Sequence, residues 1–218
     1  MQIFDILGPV MVGPSSSHTA GAVRIGLISR RLLGSAPVRA VIYLHGSFAA
    51  TGHGHGTDRA LVAGLLGMLP DDPRIPNSYQ AAEEAGLSFT MEARELRGAH
   101  PNTAELHLTA ENGDQLCVRA SSIGGGRIAV TQLDGVSVNF SGASTTLIVH
   151  NQDRPGLVSE VSSILAFSRV NIASMQLFRD KRGGAAVMVV EMDSSLPPQA
   201  ISMLEQLTGV LRVTYLEP

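Results

Sequence analysis

Residues Thr145–Ala166 read TTLIVHNQDRPGLVSEVSSILA. The first six of these residues form a mostly apolar run whose length and composition predict a buried β-strand. From Leu157 onward, apolar side chains return at intervals of three and four residues, which predicts an amphipathic helix. The segment between them, Asn151–Gly156, is polar and ends in a proline and a glycine, so it predicts a turn leading into the helix. This stretch therefore predicts a strand–turn–helix unit.

The residues after this unit predict the remainder of a small α/β fold. Two further strands, Asn171–Phe178 and Ala185–Met192, flank a polar hairpin loop. A second helix is predicted over Leu196–Leu207, and a last strand over Val210–Leu216. The order of elements is βαββαβ, which is the split βαβ arrangement of ferredoxin-like folds.

The chain of 218 residues is long enough for two small domains. Ser141–Ser144 is small and polar, so it predicts a short linker between a domain of residues 1–141 and a domain of residues 142–218. The first part is rich in glycine and serine and holds six of the seven histidines. The predicted fold class is α+β, with an N-terminal α/β domain followed by the ferredoxin-like domain.

Composition excludes several classes of function. Hydrophobic residues make up 44% and charged residues 16% of the chain, which is enough apolar material for packed cores. The net charge of −3 gives no basic surface for nucleic acid and no polybasic arm for a membrane, and no apolar run reaches the ~18–20 residues of a spanning helix. The start of the chain carries Asp5 and no basic residue, so we expect no secretory signal. The single cysteine, Cys117, has no partner for an internal disulfide, which suits a cytoplasmic protein.

A serine-rich segment, Gly13–Gly21, reads GPSSSHTAG and precedes a helix predicted to run to about Leu33. Capping a helix needs one hydroxyl, and this segment offers four and a histidine. The surplus of donors at a helix N-terminus would bind a carboxylate, although a flexible serine-rich loop is the alternative. Gly21 and Gly26, inside the predicted helix, each cost ~1 kcal/mol against alanine, which indicates close packing against another backbone.

A glycine-rich segment, Thr51–Asp58, reads TGHGHGTD between a strand at Val41–Leu44 and a helix predicted from Arg59 to Leu69. A strand, a glycine loop and a helix in this order can present backbone amides to an anion. The segment is no nucleotide-binding loop, because it lacks the G-x-G-x-x-G spacing and the chain's one lysine, Lys181, lies in the other domain.

The two histidines of this segment, His53 and His55, allow two interpretations. On a strand, residues two apart share a face, so the pair could bind a metal ion in a hydrolase, although the sequence offers no third ligand nearby. In a loop, a histidine between glycines suits proton transfer, because its ordinary pKa of ~6.5 lies near neutral pH.

Four motifs occur in a fixed order along the chain: GPSSSHT, the GHGTD of Gly54–Asp58, the HPNT of His100–Thr103, and the SIGGG of Ser122–Gly126. Together they resemble the β chain of iron–sulfur-dependent L-serine dehydratases. The C-terminal half, with Asp153–Leu157 (DRPGL) at its first turn, resembles an ACT domain, a small amino-acid-sensing module.

The resemblance implies an α,β-elimination in which L-serine loses water and ends as pyruvate and ammonia. In this family a [4Fe-4S] cluster acts as a Lewis acid on the serine hydroxyl, and a base removes the Cα proton. The cluster's cysteines belong to the α part, and Cys117 alone cannot hold a cluster. The resemblance therefore implies a β subunit that is inactive without an α subunit. Related β domains sense serine in some phosphoglycerate dehydrogenases, so the alternative is a non-catalytic, serine-binding regulator.

The motifs and the resemblance together assign roles to individual residues. The predicted catalytic residues are His55, as the base, and His18, and the predicted carboxylate-binding residues are Ser15, Ser16, Ser17 and Thr19. The predicted effector-binding residues of the ACT domain are Asp153, Arg154, Gly156, Leu157 and Asn171. We expect an α subunit, L-serine and an amino-acid effector as partners, and a homodimer through the ACT or β domain. We expect no metal ligand in this chain, and neither nucleic acid nor membrane as a partner.

Overall fold

The structure is a computed structural model that describes residues 10–218. Two parts of the chain lie outside the described residues. They are the side chain of His53 and residues 1–9, for which the sequence predicts no secretory signal. The chain divides into two compact units, Met1–Asp134 and Gly135–Pro218. The sequence predicts the domain boundary after residue 141, whereas the two compact units meet after Asp134. The boundary after residue 141 stays a prediction. Among the described residues, the helices are all too short or too polar to cross a membrane.

Residues 10–134 of the first unit form four α-helices and five β-strands. In chain order its elements are a π-helical turn (Ser16–Ala20), α1 (Gly21–Leu33), β1 (Pro37–His45), α2 (Gly46–His55), α3 (Thr57–Leu65), a 3₁₀ turn (Ile75–Asn77), α4 (Ser78–Glu84), β2 (Ser88–Ala93), β3 (Thr103–Ala110), β4 (Gln115–Gly124) and β5 (Arg127–Leu133). The strand order is β2-β1-β3-β4-β5. β1 pairs with β2 in parallel, and the pairs β1–β3, β3–β4 and β4–β5 are antiparallel.

The register of this sheet separates two faces of different chemistry. Ile42, Leu106 and Val118 lie side by side on β1, β3 and β4, and all three are fully buried. This inner face is buried because α1 lies against β3, β4 and β5. Side chains alternate along a strand, so the intervening residues form an outer face that carries Glu105 and Cys117. The inner face holds the core of the first unit.

Helices α1 and α3 approach each other through glycines. A Cβ on Gly26 would collide with the carbonyl oxygen of Leu61, and a Cβ on Gly64 would collide with that of Val23. The close backbone contact predicted for Gly26 is confirmed. At Gly21 the neighbour is a side chain, because a Cβ there would meet the hydroxyl of Ser122.

The second unit has the predicted order of elements. It consists of β6 (Val136–Phe140), β7 (Thr145–Gln152), α5 (Leu157–Phe167), β8 (Ile172–Arg179), β9 (Ala185–Met192), α6 (Pro198–Glu205) and β10 (Val210–Leu216). From β7 onward this is βαββαβ, and the four strands β10-β7-β9-β8 form one antiparallel sheet. Val149, Leu165 and Val190 are fully buried between this sheet and the two helices. The predicted α+β fold class is confirmed.

We predict that Gly64→Ala destabilises the protein by about 1–3 kcal/mol, the usual cost of overpacking a close contact. The added methyl group has to push α1 away from α3, and both helices lose buried contacts. The measurement is the free energy of unfolding in urea.

The matched control is Gly54→Ala, in α2, where a Cβ meets no atom within 4 Å. This exchange should be neutral or stabilising by up to ~1 kcal/mol, because alanine is the better helix former. Equal stability of the Gly64→Ala variant and the wild type would contradict the glycine-contact argument.

Candidate functional site

The serine-rich segment begins a helical stretch. Ser15 is extended, with φ −136° and ψ 119°, and its Oγ accepts a hydrogen bond from the backbone N–H of His18 at 3.2 Å. Residues Ser16–Ala20 then wind as a π-helical turn that continues into α1. Single π-helical turns occur frequently at functional sites. The predicted capping by the serine cluster is confirmed at Ser15, and Ser16 and Ser17 occupy the first turn, where backbone N–H groups lack helical partners.

The imidazole of His18 is held by two hydroxyl groups. Its Nε2 lies 2.9 Å from the Oγ of Ser47 at the start of α2, and its Nδ1 lies 3.3 Å from the Oγ of Ser15. The ring also makes an edge contact with the buried ring of Phe48, at a centroid distance of 5.5 Å. The side chain is therefore fixed from three sides.

The ring of His55 lies beside that of His18, with centroids 5.1 Å apart. Burial lowers the pKa of His18, and the positive charge that His55 carries when protonated lowers it further. His18 is therefore a neutral imidazole at neutral pH. His55 is exposed at the C-terminal end of α2. The structure brings together the two predicted catalytic histidines, one held in place and one open to solvent.

The glycine-rich segment forms a helix where the sequence predicts a loop. Residues Gly46–His55 form α2, Gly56 takes the left-handed conformation at φ +68°, and α3 starts directly at Thr57. The prediction of a loop is wrong because α2 is anchored by tertiary packing: Phe48 is fully buried and its N–H bonds the carbonyl of Pro101. On a helix, residues two apart do not share a face, so the argument for a metal site from the spacing of His53 and His55 no longer holds.

The HPNT motif packs against the start of α2, and the SIGGG motif packs against the start of α1. Gly46, at φ +56°, has no room for a Cβ because the backbone of Pro101 lies against it. The N–H of Ser122 donates to the carbonyl of Asn102 at 2.9 Å, and Ser122 itself lies against Gly21. The segments GPSSSHT and GHGTD therefore meet through His18 and His55, and HPNT and SIGGG pack against the starts of the helices next to these two segments.

Thr19 has a connecting role in this arrangement. It is 3% exposed, and its Oγ1 donates to the carbonyl oxygen of His55 at 3.2 Å. The bond ties the π-helical turn to the end of α2. A contact of Thr19 with a substrate carboxylate stays a prediction.

Sequence reasoning assigned no role to three polar residues of these segments, although Thr57 and Ser122 lie within the GHGTD and SIGGG motifs. Ser47 holds His18, and no motif pointed to it. The Oγ1 of Thr57 and the Oγ of Ser122 are buried, and neither has a hydrogen-bond partner within residues 10–218. Buried polar groups are normally paired, so these two hydroxyls are candidates for contact with a bound molecule or water.

The aspartate of the GHGTD motif anchors helices. Asp58 is 6% exposed, and its Oδ2 accepts a hydrogen bond from the hydroxyl of Tyr79 at 2.9 Å. Burial raises the pKa of Tyr79 well above its usual range, and the carboxylate of Asp58 adds to the effect. The bond joins the start of α3 to α4 and fixes the position at which α2 ends.

The turn between β7 and α5 holds four of the five predicted effector-binding residues. The Oδ2 of Asp153 accepts hydrogen bonds from Arg179 at 2.8 Å and from the N–H of Gly183 at 2.9 Å. Both bonds lower the pKa of Asp153, and the bond from the backbone of Gly183 has the larger effect. The carboxylate predicted to take an ammonium group is therefore already paired with the hairpin loop. Gly156 starts α5 at φ +91°, a conformation that favours glycine.

The other predicted effector-binding residues have structural partners as well. Both terminal nitrogens of Arg154 bond the carboxylate of Glu160. Leu157 is 2% exposed in the core, so only its backbone N–H is available to a ligand. The Nδ2 of Asn171 donates to Asp193. Whether these residues bind an effector stays a prediction.

The fold and the site define a chain with a serine–histidine α/β unit followed by a ferredoxin-like module. A family model described as "Serine dehydratase beta chain" matches residues 2–132, and one described as "ACT domain" matches residues 145–209. The chain therefore belongs to the serine dehydratase β-chain family, and its second unit carries an ACT domain.

Individual relatives agree with this assignment. The chain is 39% identical to the "Probable L-serine dehydratase, beta chain" of Bacillus subtilis over 212 residues, which cover 97% of this chain and 96% of that protein. It is also 39% identical to the "L-serine dehydratase, beta chain" of Peptoniphilus asaccharolyticus, over 97% of this chain and 94% of that protein. A "D-3-phosphoglycerate dehydrogenase" of Archaeoglobus fulgidus is 25% identical over 90% of this chain and 37% of its own length.

We predict that His55→Gln raises the pKa of His18 towards 6.5 without reaching it. The exchange removes the charge of His55, whereas the burial of His18 remains. The measurement is an NMR titration of the His18 ring nitrogens.

The control for this titration is His107→Gln, on the outer face of the sheet, which should leave the His18 titration unchanged. A pKa of His18 that stays constant or falls in His55→Gln would contradict the electrostatic coupling of the two rings.

Proposed function

We propose that this chain is the β subunit of an L-serine ammonia-lyase that converts L-serine to pyruvate and ammonia by α,β-elimination of water. The observation that carries the proposal is the contact between the rings of His18 and His55, which brings the GPSSSHT and GHGTD motifs together. The names of the relatives from Bacillus subtilis and Peptoniphilus asaccharolyticus support the substrate. Since the chain forms only part of the enzyme in this proposal, an α subunit completes the active site.

In this proposal the start of the helical stretch binds the carboxylate of L-serine. Ser15, Ser16 and Ser17 are half-buried, and the first N–H groups of a helical stretch favour an anion. His18 is neutral, so its ring donates one hydrogen bond and accepts one, and both ring nitrogens face hydroxyl groups; in this proposal a bond to the substrate replaces the longer of the two, to Ser15. His18 orients the substrate, whereas the exposed His55 takes the Cα proton.

The residues of this chain do not fit a [4Fe-4S] cluster. Such a cluster needs several thiolate ligands, and the sequence contains one cysteine. We propose that the α subunit holds the cluster, and no step on it is assigned to this chain. A pyridoxal-phosphate Schiff base does not fit the first unit either, because the one lysine of the sequence, Lys181, lies in the second unit.

The second candidate function is a non-catalytic regulator that binds serine. The observation in its favour is the match to a D-3-phosphoglycerate dehydrogenase, in which a region similar to this chain makes up 37% of a different enzyme. The site residues are the same in both functions, and only the presence of a catalytic partner separates them.

The second unit supplies regulation in either case. We propose that its first turn, Asp153–Leu157, binds an amino-acid effector, and that the ACT or β domain forms a homodimer in the cytoplasm. Binding of an ammonium group at Asp153 has to displace or share the bond from Arg179. An effector would therefore act on the hairpin loop that Asp153 holds.

We predict that the purified chain alone is colourless and inactive, and that pyruvate forms under anaerobic conditions when a cluster-bearing α subunit is added. The reason is that the chain lacks the thiolates of the cluster. Stoichiometric iron and sulfide on the single chain would contradict this. If L-serine binds but no α subunit restores turnover, the regulator replaces the enzyme as the proposed function.

We predict that in the reconstituted enzyme His55→Ala lowers kcat by ~10²–10⁴, the usual contribution of a general base, with little change in KM. Ser16→Ala should mainly raise KM, because the bond of Ser16 to the substrate carboxylate is equally strong in the ground state and in the transition state.

The control for these kinetics is Ser163→Ala, an exposed residue of α5 in the second unit, which should leave both constants unchanged. If the His55→Ala enzyme has a near-normal kcat, the base is instead His18 or a residue of the α subunit.

A further inference from the structure

The outer face of the first sheet carries a cluster of three potential metal ligands. His107 on β3 lies directly opposite Cys117 on β4 in the antiparallel register. Glu105 is two residues before His107 and therefore lies on the same face of β3. None of these three residues belongs to the group around His18.

The ligand atoms are close to the spacing of a tetrahedral site. The Oε1 of Glu105 lies 3.0 Å from the Nε2 of His107, which lies 3.7 Å from the Sγ of Cys117, and all three atoms lie within 4.8 Å of one another. Zinc–ligand bonds of ~2.0–2.3 Å at tetrahedral angles place such atoms about 3.4 to 3.6 Å apart. Small side-chain rotations would therefore seat an ion among them.

We propose that Glu105, His107 and Cys117 form a zinc-binding site. Burial raises the pKa of the Cys117 thiol to about 11, so the ion has to displace its proton on binding. The resulting thiolate, an imidazole and a carboxylate form a donor set of borderline softness that suits Zn²⁺ better than Mg²⁺ or Ca²⁺. Because the ligands come from this chain alone, the site is independent of the proposed function and of an α subunit.

The surroundings of the cluster keep the ligands in position. The Oε2 of Glu105 accepts hydrogen bonds from the Nε and Nη2 of Arg119 at 2.9 and 2.5 Å, and Oε1 faces His107 at 3.0 Å and the Nη1 of Arg94 at 3.8 Å. The ring of His107 makes an edge contact with Tyr43 at a centroid distance of 5.4 Å. The backbone N–H of Cys117 bonds the Oδ1 of Asp134 at 2.8 Å. Partners of this kind orient metal ligands in established sites.

The cluster is accessible from solvent. Glu105 is 8% exposed and lies beneath His107, whose side chain is 46% exposed. A groove of about 280 Å³ runs along His107 and Cys117 and is also lined by Arg39, Gln115 and Asp134. The groove gives the ion an entry path. Three protein ligands leave a fourth position for water or for a small anionic ligand that enters along the groove.

The test measures Zn²⁺ binding by the full-length chain in competition with a chromogenic chelator. We expect one ion per wild-type chain, and a loss of affinity above ~100-fold in His107→Gln and in Cys117→Ser, beyond the range for outer-shell changes. Co²⁺ in place of Zn²⁺ should give a thiolate-to-metal charge-transfer band that Cys117→Ser abolishes. Zinc should also slow alkylation of Cys117, which is the one thiol of the chain.

The matched control is His55→Gln, which should bind Zn²⁺ with wild-type affinity. Circular dichroism checks that each variant folds, and Glu105→Asp provides a milder change of the third ligand, with an intermediate affinity. The proposal is overturned if the folded wild-type chain binds no stoichiometric zinc. It is equally overturned if His107→Gln and Cys117→Ser retain wild-type affinity, or if His55→Gln loses the ion.

Discussion

The arrangement of the first unit depends on the contact between Gly26 of α1 and Gly64 of α3. The two backbones lie so close that neither residue has room for a Cβ. This contact fixes α1 against α3, and each helix is preceded by one part of the histidine cluster. The π-helical turn with His18 runs into α1, and α2 with His55 runs through Gly56 into α3. The contact between two glycines, which involves no polar side chain, therefore sets the distance between the side chains of His18 and His55.

The sequence predicted the elements whose formation depends on the spacing of apolar residues along one short segment. The order βαββαβ follows from apolar periodicity, and β9 and β10 have the predicted bounds. The segment Thr51–Asp58 shows the limit of this reasoning, since its glycines disfavour a helix. The helix forms because Phe48 is buried and bonded to Pro101, and Pro101 lies about fifty positions away in the sequence. Long-range packing of this kind leaves no local signal.

The same limit applies to side chains that meet across elements. Ser47 contacts His18 from 29 positions away, and His107 meets Cys117 through the register of β3 and β4. The sequence shows each residue but not the pairing. Motifs indicated the place of the histidine cluster, because the serine-rich segment offers more donors than a helix cap needs and the motifs together carry the family resemblance. They could not indicate that Asp153 is already bonded to Arg179.

In the proposed enzyme, the exposure of His55 calls for a second surface that closes the site. A base in open water competes with solvent for the substrate proton, and charges near it are screened. His18 has a neighbour on three sides, whereas His55 lies open at the end of α2. A second protein surface that covers the end of α2 would exclude water from His55. The same surface would bring the thiolate ligands that this chain lacks. In the proposed enzyme the β subunit therefore supplies positioned imidazole and hydroxyl groups, and the partner supplies the closure of the site.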